Sequence, residues 1–142
     1  MSLLMGHFCH WVLTYELKQK KIMNQFMLLI RTQGDHFLEI SEEDQKRHLE
    51  KVTVYIEELM KQGKLKSAQP LEMESVIISG TKGKLKDGPF NESKEVIAGY
   101  FLLLAENMQE AIEIGRRNPI FESSKTARIE VRPVRILHGI ND

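Results

Sequence analysis

The pattern of apolar and polar residues switches repeatedly between continuous runs, alternation and helical stripes. Residues 25–31 (QFMLLIR) hold a short continuous apolar run bounded by polar residues and by Gly34-Asp35, which reads as a buried strand. Ser41 then opens an amphipathic stretch to Gln62, with Glu42, Glu43 and Asp44 in the first turn, where the helix dipole favours negative charge. Leu49, Val52, Ile56, Leu59 and Met60 recur at helical spacing on one face, and Gly63 is the expected stop. Residues 71–79 (LEMESVIIS) read as a second strand, 80–83 (GTKG) as the reversing turn and 84–90 as the return, broken again at Asp87-Gly88-Pro89. The strongest strand is 96–105 (VIAGYFLLLA), apolar on both faces. Asn107 with Glu110 then starts a second helix with the stripe Met108, Ala111, Ile112 and Gly115, ended by Asn118-Pro119. Residues 128–132 (RIEVR) alternate as a last strand, with Pro133 marking its end or a sheet edge.

Strand, helix, strand, strand, helix, strand is the ferredoxin-like βαββαβ order. The expected fold is α+β, a four-stranded antiparallel sheet with two helices on one face. An antiparallel sheet normally shows water a polar face. Here residues 26–30 and 96–104 are apolar on both sides, so the second face needs cover too. A second copy is the simplest cover, giving a homodimer with its sheets face to face as an α+β barrel.

With 142 residues, 42% of them apolar, the chain can fold as one domain with a real core. The 20 basic and 20 acidic residues cancel, which argues against a nucleic-acid binder. The sum conceals a division: Glu16 against Lys18, Lys20 and Lys21 leaves a basic leader, residues 1–22, joined to a mildly acidic domain, residues 23–142. The leader also holds the sole cysteine, Cys9, and the sole tryptophan, Trp11. One thiol excludes an internal disulfide and a four-cysteine zinc site, which makes the cytoplasm the expected location. Residues 96–105 are about half the ~20 needed to span a bilayer. The leader lacks a basic n-region and a cleavage site and does not read as a secretion signal. Phe8, Trp11, Val12 and Tyr15 give it an apolar helical stripe, so it reads either as a surface-binding helix or as a flexible leader from an upstream start or an appended sequence.

Asp87-Gly88-Pro89-Phe90 followed by residues 91–95 (NESKE), then Gly99-Tyr100, Glu110-Ala111, Pro119 and residues 130–134 (EVRPV), resembles the DGPF-type branch of the YCII-related proteins, from about Met23 to Val134. The resemblance implies a ferredoxin-like dimer with a cleft between helix and sheet, often encoded beside sigma factors, and a histidine paired with an aspartate. Many DGPF-type members carry that histidine where Val52 stands here; this chain has His48, one turn earlier on the same side.

Asp87 is the first candidate acid or base, because a carboxylate beside Pro89 and Phe90 could be partly desolvated. Its plainer role is to cap its own turn. His48 and His36 are its candidate partners, His48 otherwise being a helix-boundary residue. Asp35, His36 and Glu39 match no metal-site spacing, and no metal or other cofactor is expected. Residues 80–84 (GTKGK) lack the phosphate-loop pattern and a following helix, leaving a hairpin turn. Arg132 could bind a substrate carboxylate or form an ion pair, and Tyr55 and Tyr100 could line one cavity or pack in the core. Two functions follow. One is a small cofactor-independent enzyme performing isomerisation or elimination on a small molecule. The other is a non-catalytic ligand-binding or regulatory module, linked through the resemblance to sigma-factor-associated regulation.

Overall fold

Asn24–Gln33 forms β1, and its alternation places Phe26, Leu28, Ile30 and Thr32 on a buried face and Gln25, Met27, Leu29 and Arg31 on the other. Together with β1, the computed structural model describes residues 23–88 and 95–141. The leader's apolar stripe and the second turn from Pro89 onward lie outside the described residues. Ser41 caps helix α1 (Glu42–Lys61), its hydroxyl accepting the Asp44 N–H at 3.1 Å. Gly63 adopts φ 67° and donates to Met60, while Lys64 donates to Leu59, the paired bonds that close a helix through a left-handed residue.

Strand β2 is Leu65–Pro70, only a few residues past the helix. The ribbon strands β3 (Ile77–Thr81) and β4 (Lys84–Gly88) follow, then β5 (Glu95–Ala105), α2 (Met108–Arg116), a short α3 (Ile120–Ser123) and β6 (Arg128–Pro133). The main sheet has the order β2-β5-β1-β6, all neighbours antiparallel, as the ferredoxin-like pattern requires. Its second strand is not where the hydrophobic pattern placed it. Residues 71–76 are irregular, and β3 pairs only with β4 in a separate ribbon. Leu65 and Ala68 are the only apolar residues of β2 besides Pro70, enough for an edge strand that buries one face and too few to stand out by periodicity.

Both helices cover the same face of the sheet. Tyr55 of α1 meets Phe101 of β5 edge to face, with ring centroids 5.6 Å apart. Ala111, Ile114 and Gly115 of α2 are buried, Gly115 so close that a Cβ would meet Leu28, Val131 and Ile129. Leu28, Leu103 and Ile114 are fully buried at the centre. The buried line of α1 runs through Tyr55 and Leu59, so Leu49 and Met60, expected on that face, are exposed at its margins.

At one point the sheet changes phase. Ile30 pairs with Gly99 but Arg31 with Ile97, leaving Ala98 as an extra residue, a β-bulge. The Ala98 carbonyl accepts the Leu71 N–H at 2.9 Å, tethering the chain where it leaves β2. A Cβ on Gly99 would lie 2.9 Å from the Gln69 carbonyl oxygen, so the close approach of β2 there needs glycine.

Candidate functional site

The loop between β1 and α1 is folded by its own polar groups. The Asp35 carboxylate accepts the Phe37 N–H at 3.1 Å, and the Asp35 carbonyl accepts the Leu38 N–H. From α1 the Gln45 amide donates to the carbonyls of Phe37 and Ile40, at 2.8 and 3.2 Å, and ties the loop to the helix. His36 is thereby held against His48, which rises from the second turn of α1. The two imidazoles meet edge to face with centroids 5.7 Å apart, and Phe37 packs against both. On its other side His48 Nδ1 lies 3.1 Å from the Ser123 hydroxyl at the end of α3.

The histidine pair forms one wall of a pocket of about 360 Å³ between α1, the bulged part of the sheet and residues 71–73. Val52, Ile56, Ile30, Phe101 and Met73 make most of its lining apolar, and Asp35, Glu72 and Asn118 bring polar groups to it. Asn118 is only 4% exposed; its side-chain oxygen accepts the Ile120 N–H at 2.9 Å. Burial holds the His36 imidazole below the usual histidine value, against the pull of Asp35 and Glu39. Burial also lowers His48, helped by His36 and Lys51 and opposed by Glu122. Burial thus favours the uncharged form of both rings at neutral pH, in which each has one N–H donor and one bare nitrogen. Paired neutral imidazoles against an apolar pocket can give and take protons from a small molecule.

The other expected site residues lie elsewhere. Asp87 sits within the β3–β4 ribbon opposite Ile78, exposed, and does not line the histidine pocket. Tyr100 and Arg132 are on the opposite face of the sheet; Arg132 pairs with Glu130 at 3.6 Å, and Arg31 approaches the same carboxylate at 3.8 Å. Tyr55 is a core residue whose hydroxyl donates to the Ile114 carbonyl at 2.7 Å. Burial pushes its phenol up to about 12, opposed by Asn118 and Arg117. Tyr55 and Tyr100 thus share no cavity, because one points into the core from the helix layer and the other away from it. Conversely, Asp35, Asn118 and Ser123 join the site without having stood out as pocket residues. Asp35 follows a glycine in a turn and Asn118 precedes a proline, positions that read equally well as loop punctuation.

Among the described residues no group of three or more His, Cys, Asp or Glu side chains is placed to hold a metal ion, and no helix is long and apolar enough to cross a membrane. Fold and site together define an α+β protein with a histidine-walled pocket between helix and sheet. The sequence model of the YCII-related domain matches residues 24–135, and the chain belongs to the YCII-related family. No curated protein matches it.

Proposed function

We propose that this protein is a cytoplasmic homodimer, joined through the outer face of the main sheet, that binds a small and largely apolar molecule in the histidine pocket and moves a proton on it. The observation that carries this reading is the edge-to-face pair of His36 and His48, half-buried and held neutral on an apolar wall. Isomerisation and elimination are the matching reaction types, since each needs a positioned base and a positioned acid. Asp35, beside His36, and Glu72 are the carboxylates that line this pocket, while Asp87 is not among its lining residues. The position of Asp87 favours a second reading, a ligand-binding module without chemistry, because the expected acid partner is missing from the pocket.

Ligand-observed NMR with a library of small aromatic and alicyclic alcohols, ketones and acids tests the pocket. Hits should bind the wild type and lose binding by at least about tenfold in Val52→Trp, which fills the cavity, but not in Asp87→Ala. Hits that ignore Val52→Trp would place the site elsewhere. Solvent deuterium entering a bound hit, and lost in His48→Gln, would select the enzyme over the binding module.

A further inference from the structure

His48 separates two different environments. On one side is the apolar pocket. On the other is a small charged cleft lined by Asp44, Arg47, Lys51, Glu122 and Ser123, and among the described residues only His48 is shared by both walls. Its Nδ1 edge is turned to the cleft, 3.1 Å from Ser123 Oγ, which leaves Nε2 on the opposite edge of the ring.

The serine hydroxyl has a second neighbour. Ser123 Oγ lies 3.4 Å from the Ile120 carbonyl oxygen, which can only accept. A hydroxyl has one proton, so if it goes to Ile120 the same oxygen can receive a proton only from His48. The chain Nδ1–H to Oγ–H to carbonyl satisfies both Ser123 contacts, whereas the reverse direction keeps only the one with His48 and leaves the Ile120 carbonyl with the Ser124 N–H alone, at 2.9 Å. The second nitrogen of a histidine takes its state from the bond the first one makes.

We infer that Ser123 is a positioning residue that holds His48 with its proton on Nδ1 and leaves Nε2 bare to take a proton from the molecule in the pocket. In that step the ligand's bond to hydrogen breaks, its electron pair stays on the ligand, and the proton forms the Nε2–H bond. Return of the proton to another ligand atom, or to water, restores the neutral ring. Nearby charge is balanced, since Lys51 and Glu122 pair at 2.6 Å beside the ring. Donation from Nδ1 to Ser123 also steadies the imidazolium while it exists. The base role rests on the proposed proton-transfer reading; the tautomer does not.

Long-range proton–nitrogen correlation spectra of the nitrogen-15-labelled full chain at neutral pH test the inference, with His48 assigned by its loss in His48→Gln. The wild type should show a pyrrole-like Nδ1 and a pyridine-like Nε2. Ser123→Ala should reduce that tautomer's share relative to the other by about fivefold, the weight of one ordinary hydrogen bond, and Ser123→Thr should restore it. A wild-type ring carrying its proton on Nε2 overturns the assignment without any variant. An unchanged tautomer in a folded Ser123→Ala also overturns it. Failure of the ligand screen, by contrast, would defeat the pocket reading and leave the tautomer result standing.

Discussion

His36 and His48 connect the site to stability as well as to chemistry. Both have folded-state affinities for protons below that of an exposed histidine. The unfolded chain therefore binds protons more readily than the folded one once the pH drops below the ordinary value of 6.5. Their contribution is neutral above that value, becomes destabilising as the pH falls from 6.5 through the lowered folded values, and then levels off. Urea unfolding at about pH 7.5 and about pH 5.5 measures the effect, above the range where most carboxylates titrate. The midpoint should fall with acidification in the wild type and fall less in the double variant His36→Gln, His48→Gln. Equal falls in the two proteins would show that the rings are not held neutral by burial.

At the scale of elements, the contact of β2 with β5 governs the pocket, since residues 69–73 pass from strand to pocket rim across it. Gly99→Ala should force the Gln69 carbonyl away and cost about 1–3 kcal/mol, the range for an overpacked contact, with a matching drop in the urea midpoint. The change should also weaken pocket ligands, which Gly115→Ala, with only ordinary van der Waals contacts at its Cβ, should not. Much of this level was legible in the sequence. Residues 25–31 and 96–105 announced the central strands by their continuous apolar runs, and Ser41 and Asn107 announced the helix starts by capping chemistry. β2 escaped because an edge strand buries one side only, and the more apolar residues 71–79 attracted the assignment instead. That stretch supplies the pocket rim and half of a ribbon, uses that depend on a tether from Ala98 rather than on periodicity. The histidines were visible as candidates, but nothing local tells that a loop residue and a helix residue twelve positions apart will bring their rings together. Whether Tyr55 and Tyr100 share a cavity or pack apart was open in the sequence, because their facing depends on which side of the sheet α1 covers.

For the whole molecule the proposed dimer turns on the outer sheet face. Met27, Leu29, Tyr100, Leu102 and Leu104 stay only half-buried in a single chain, in the middle of a face bordered by Arg31, Glu130 and Arg132. A lysine there would have no counter-charge at the centre of a sheet-to-sheet contact, and burying it unpaired is costly. Leu102→Lys should convert a dimer to a monomer in sedimentation velocity at micromolar concentration while the circular dichroism of the fold is retained. A wild type that sediments as a monomer at the same concentration would defeat the dimer. The Ile78 and Leu85 side chains share one exposed face of the ribbon.

The bulge at Ala98 bears on how this sequence can change over time. Below it, odd-numbered residues of β5 serve the core and pocket while even-numbered ones serve the outer face. One inserted or deleted codon between Gly99 and Ala105 would exchange the two sets, damaging interior and exterior together. Upstream of the bulge the count has already slipped by one, so length variation there has a place to be absorbed. Descendants of this gene should therefore differ in length before Ala98 and only in residue identity from Gly99 to Ala105.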